Sequence, residues 1–150
     1  MNAYIKTPEI RWSDLDANYH LRHSVYYDWA AYCRISFLNE NGISPLWLMQ
    51  HNIGPIIFRE EAIFKREIIF TDTIEINMQL LQCRKDMSRW TIVHEIIKNA
   101  ETLAATVTVD GAWLDTKLRK LAAPPLQIFE SFDKVPKTEY FKWIAVESKI

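Results

Sequence analysis

The chain has 150 residues, a formal net charge of −1 and a 49% hydrophobic composition, the profile of one ordinary globular domain with a sizeable core. It carries no basic footprint for nucleic acid and no acidic tail. Only three glycines occur, and no Gly-rich phosphate motif is among them, which argues against P-loop and Rossmann nucleotide folds.

The opening MNAYIKTPEI lacks the apolar core of a signal peptide. The most apolar stretch, ISPLWLMQHNIGPIIF, is interrupted by two prolines and by polar residues, so no membrane span is expected. Cys33 and Cys83 are read as reduced, buried thiols. A cytoplasmic protein is the expectation.

In chain order, residues 5–12 are expected to be extended. A polar string, WSDLDANYHLRH, follows from Trp12 to His23. Ser24 is the expected N-cap of a long helix, VYYDWAAYCRISFLNENG, stopped at Gly42. Val25, Trp29, Tyr32 and Ile35 form one apolar stripe, with Tyr26, Ala30, Cys33 and Phe37 beside it. Most of the helix should therefore be buried. Ser44-Pro45 opens a short helical piece.

After Gly54-Pro55 the period changes. Residues 56–70 read as a strand. The segment TIEINMQL alternates, with Ile74, Ile76, Met78 and Leu80 on one face. CRKDMSR is a turn, residues 90–98 a strand, Asn99-Ala100-Glu101 a turn and residues 103–113 a strand. One largely buried helix needs a sheet around it, so the fold class expected is α+β: about five strands in a curled antiparallel sheet round a long central helix. The whole chain, 1–150, is read as a single domain with 122–150 as a C-terminal extension. That extension holds a short helix at LQIFESF and a loosely attached tail bearing Tyr140, Phe141 and Trp143.

Three chemistries compete for the polar string. Asp14, Asp16 and Asn18 match the first ligands of an EF-hand loop, but Tyr19 and Val25 stand where Gly and Glu belong. Asp16, His20 and His23 are a conceivable zinc set, although a turn of this kind is more often solvated. A catalytic turn is the third reading. A helix N-terminus offers unpaired N–H donors that polarise a carbonyl, and an ionised aspartate nearby attacks it or activates water. Such a site suits a good leaving group, and a thiol leaves far more readily than an alcohol or amine. Thioester hydrolysis fits best.

The run Asp14-x-Asp16-x-x-x-His20, followed by a helix with Tyr26-Tyr27, resembles the D-x-D-x-x-G-H-x-N-N signature of hot-dog-fold thioesterases of the 4-hydroxybenzoyl-CoA type. RWSDLDANYHLRHSVYYDWAAYCR as a whole is similar to a bacterial acyl-CoA thioesterase branch of that superfamily. The resemblance implies Asp16 as the catalytic carboxylate and the backbone N–H of His23, seven residues on, as the donor to the thioester carbonyl. In related thioesterases of the Tol-Pal gene cluster a histidine also stands at this place, so the His23 side chain is a second candidate.

Tyr19 occupies the Gly position, and Arg22-His23 replace Asn-Asn. Tyr19, Arg22 and Tyr26 are therefore the candidate substrate-binding residues. Arg22 is expected either at a CoA phosphate or on Asp14, which itself caps the turn. His20 is expected to orient the loop. Glu60 and Glu61 are reserve acids, and Arg84, Lys85, Arg89, Arg119 and Lys120 are either CoA-phosphate contacts or surface charges. The resemblance further implies a homodimer or homotetramer with sites at the subunit interface and acyl-CoA as substrate. No metal and no cofactor is implied. A non-catalytic module holding acyl-CoA or a protein partner is the alternative reading, motivated by the same substitutions.

Overall fold

A computed structural model describes residues 3–145. The elements run β1 (Ile5–Lys6), a single 3₁₀ turn (Trp12–Asp14), α1 (His23–Glu40), α2 (Pro45–Gln50), β2 (Ile53–Phe64), β3 (Ile74–Asn77), β4 (Gln79–Arg84), β5 (Arg89–Lys98), β6 (Thr102–Asp115), β7 (Lys120–Leu121), α3 (Leu126–Asp133) and β8 (Lys137–Ile144). The fold class is the expected one. β2, β3, β4, β5 and β6 build a curled antiparallel sheet with α1 against it, which is the hot-dog architecture.

Alternation explains the sheet. Ile74, Ile76, Met78 and Leu80 are all buried, and so are Ile92, His94 and Ile96 from β5 and Val107 and Val109 from β6. Each such aliphatic side chain contributes about 1.5–3 kcal/mol when fully buried. The β5–β6 hairpin turns at Asn99 (φ 54°) and Ala100 (φ 63°), the double positive φ of a type I′ turn, whose twist matches paired strands. Gly111 is required in β6: a Cβ there would lie 2.2 Å from the Trp90 ring and 2.7 Å from the Ile56 carbonyl.

Three expectations are corrected. The central helix begins at His23 with Arg22 as N-cap, not at Ser24; the Ser24 hydroxyl instead accepts from Arg22 Nε at 2.9 Å. Tyr32 and Ile35 are exposed, so α1 buries one face rather than most of its circumference. The C-terminal segment is not loose over residues 137–144. It forms β8, parallel to β4, and places Cys83 opposite Trp143. The short helix expected at LQIFESF is α3, and its Phe132 packs against both Trp90 and Trp113.

β1 and β8 thus line the outer margin of the β3–β4 strand, while β2 pairs only with β6 and forms the opposite margin among the described residues. Cys33 and Cys83 are free and buried, and burial pushes both thiols up to about 12. Among the described residues no helix is long and apolar enough to cross a membrane.

Candidate active site

The polar string folds into a tight turn against the start of α1. Leu15 and Leu21 bridge; the Asp16 N–H donates to the His20 carbonyl at 2.8 Å, and the Tyr19 N–H to the Asp16 carbonyl at 3.0 Å. The turn needs a left-handed residue at position 19, and Tyr19 supplies it with φ 62°. One further bond, from the Leu21 N–H to the Ile68 carbonyl at 2.8 Å, ties the turn to the segment after β2.

Asp14 is the anchor. Its carboxylate is buried and accepts from the Arg11 backbone N–H at 2.8 Å and from Arg11 Nη2 at 2.8 Å. Burial pushes its carboxyl up, but the bonds from Arg11 and the charges of Arg11 and Arg22 outweigh that and hold it below the usual carboxylate range. Capping is therefore its role, and the Asp14 side chain pairs with Arg11 rather than Arg22. Arg22 donates its backbone N–H to the Asp14 carbonyl at 2.7 Å and sends its guanidinium to the Ser13 carbonyl at 2.6 Å and to Ser24.

Asp16 is exposed. Its Oδ1 accepts from the backbone N–H groups of Asn18 (2.8 Å) and His20 (3.1 Å). Among the described residues no donor meets Oδ2. Two bonds to one oxygen hold the carboxylate in place and leave the other available for chemistry. His23 is the first residue of α1. Its backbone N–H is one of the orphan donors of a helix start, and no acceptor meets it among the described residues.

Asp16, His20, His23 and Tyr26 line one pocket of about 360 Å³, closed on the far side by Phe64, Lys65, Arg66 and Glu67. Tyr26 is buried, with its ring edge-on to Phe64 at 4.9 Å. Burial, reinforced by the Asp16 charge, pushes its phenol up to about 12, so it stays a neutral hydrogen-bonding group at physiological pH. His20 Nε2 lies 3.5 Å from a Glu67 carboxylate oxygen. No group of three metal-holding side chains occurs among the described residues. Tyr19 does not line this pocket. It is exposed in the neighbouring apolar depression of about 430 Å³, beside Trp12, Ile69 and Phe70.

Lys65, Arg66 and Glu67 were not singled out by sequence. They sit in a charge-rich run that reads as a solvated strand, yet the chain leaves β2 there. The N–H groups of Lys65 and Arg66 both bond the Ala104 carbonyl, which turns this corner toward the helix start. Of the reserve acids, Glu60 does approach α1, but at Arg34, 3.9 Å away, and not at Asp16.

The chain belongs to the Thioesterase-like superfamily, which residues 10–134 match. Among solved structures, a hypothetical protein from Staphylococcus aureus in complex with CoA is similar at TM-score 0.80 and 18% identity, over 99% of this chain and 94% of that one. A 1,4-dihydroxy-2-naphthoyl-CoA thioesterase from Synechocystis is similar at TM-score 0.78 and 12% identity, over 89% and 97%. A gentisyl-coenzyme A thioesterase is similar at TM-score 0.74 and 20% identity, over 85% and 98%. At these identities the likeness is one of fold. The search of curated proteins found no match.

Proposed function

We propose that this protein is an acyl-CoA thioesterase that hydrolyses an acyl- or aroyl-CoA at the pocket shared by Asp16 and the start of α1. The observation that carries this reading is the pairing, in one pocket, of an exposed carboxylate held by two backbone N–H groups with a helix N-terminus whose first N–H meets no acceptor among the described residues. Asp16 takes a proton from water as the hydroxide adds to the thioester carbon. The His23 N–H stabilises the resulting oxyanion. The C–S bond then breaks, the thiolate receives the proton, and the carboxylic acid product ionises. Direct attack by Asp16 reaches the same products through a mixed anhydride that water hydrolyses.

Tyr26 and Phe64 serve as the apolar wall and Lys65 and Arg66 as cations for the CoA phosphates. Tyr19 borders the entry. Arg22 acts through the turn it braces. The chain acts as one hot-dog unit, 1–150. We take the assembly to be a homodimer or homotetramer, supported by the margin of β2, which is unpaired among the described residues and exposes Ile57, Phe58, Ile63 and Phe64.

The test is thiol release from a panel of acyl- and aroyl-CoAs. Asp16→Asn, which keeps the turn's acceptor, should lower turnover by about 10²–10⁴-fold. Full activity in Asp16→Asn would overturn the mechanism, and acyl-CoA binding without turnover by the wild type would favour a binding module.

A further inference from the structure

A second cavity lies between the C-terminal half of α1 and the sheet, and it has no lining residue in common with the Asp16 pocket. Arg34 stands eleven residues after His23 on the same helix, roughly 16 Å further along its axis. The cavity measures about 170 Å³ and is walled by Ile35, Met78, Trp90, Trp113 and Phe132, among other apolar residues. An apolar cavity of about 150 Å³ takes one benzene ring, so this one is sized for a single six-membered ring with a small substituent.

Its polarity is one-sided. Arg34 is the one charged residue of the wall, and its side chain is 12% exposed. The guanidinium donates through Nη1 to His94 Nε2 at 3.1 Å. Because arginine only donates, His94 must keep its proton on Nδ1, which gives it to the Asn77 carbonyl at 2.8 Å. His94 is therefore neutral and returns no negative charge. Glu60 forms a long ion pair with Arg34 Nη2 at 3.9 Å, beyond hydrogen-bond reach, and is not part of the wall. The indole N–H groups of Trp90 and Trp113 are buried with no acceptor among the described residues and are closed off from the cavity, so it is the rings of these two residues that line it. The wall itself therefore carries one cation and no carboxylate, the counter-charge lying outside the wall on Glu60.

We propose that this cavity is a binding site for a monocyclic aromatic carboxylate, with the ring among Trp90, Trp113 and Phe132 and the carboxylate on Arg34. The site is separate from the proposed thioesterase pocket and does not rest on that function. Ring volume selects the apolar part, and a carboxylate is the planar anion that a guanidinium fork accepts.

The experiment titrates the full-length protein with benzoate and with benzamide, its neutral analogue, following the indole N–H signals by nuclear magnetic resonance and the affinity by calorimetry. Benzoate should saturate, shift the Trp90 and Trp113 signals and leave that of Trp12 unmoved. Benzamide should bind about tenfold more weakly or worse, and Arg34→Met should weaken benzoate by a similar factor, with Arg34→Lys recovering part of it. Asp16→Asn should leave benzoate binding unchanged. No saturable shift of those two indoles, equal affinity for benzamide, or loss of binding in Asp16→Asn would each overturn the proposal. Should Arg34→Met fail to fold, the benzoate–benzamide comparison on the wild type decides.

Discussion

Tyr19 stands where the thioesterase signature has glycine, and its backbone takes the conformation glycine adopts without cost, φ 62°. For a residue with a side chain that conformation costs about 1–2 kcal/mol, while glycine loses about 0.5–1 kcal/mol to unfolded-chain entropy. Tyr19→Gly should therefore stabilise the fold by up to about 1 kcal/mol in urea unfolding. The Tyr19 ring is exposed, so little packing is forfeited. Single residues were partly legible beforehand. Asp16, His23 and Tyr26 do meet in one pocket, because the motif encodes a turn of fixed length before the helix. Lys65 and Arg66 were not legible, since a cation beside a strand end looks like any solvated charge until the sheet brings it round to the helix.

At the scale of the element, the start of α1 is the informative case. The sequence points to Ser24 as N-cap because serine is favoured there, but its hydroxyl is taken by Arg22 and the helix starts two residues earlier, on His23 with Arg22 as N-cap. That makes His23 the first helical position, where proline is tolerated and only an unused N–H is lost. Arg22 already has the extended backbone that precedes a proline, φ −63° and ψ 138°. His23→Pro should keep stability within about 0.5 kcal/mol and cut turnover about 10²–10³-fold. His23→Ala, which keeps the N–H, should lose much less if the backbone is the donor. Steady-state rates on both variants separate the two contributions. The strands β3 to β6 were readable from alternation, since one face of each packs on the core. β8 was not. KTEYFKWI has no buried alternate face, and its strand form comes from backbone pairing with β4, which leaves no trace in the hydropathy pattern.

At the scale of the whole molecule, His94 links stability to pH. Burial, with the Arg34 charge adding to it, lowers its pKa from 6.5 to about 3. Between those values the unfolded chain binds a proton that the folded protein refuses. Stability is therefore full above about pH 6.5 and falls on acidification, by up to about 1.4 kcal/mol per pH unit. Urea unfolding at pH 7 and pH 5 should show the loss, and His94→Gln should flatten it. Asp14 and Asp72, both held below the usual carboxylate range, add their share only at lower pH. The proposed homodimer or homotetramer is testable on the same scale. If the β2 margin is its interface, sedimentation equilibrium should show an oligomer for the wild type and a monomer for Ile63→Glu, which places a charge among the exposed apolar residues of β2.

The two margins of the sheet also bear on how the protein can be labelled. β1 and β8, the strands nearest the two extremities of the described chain, both lie along the β3–β4 side, across the sheet from β2. A fluorescent protein or affinity handle joined before Ala3 or after Ala145 therefore attaches on the side already occupied by the protein's own strands, and the β2 side is left clear for whatever meets it.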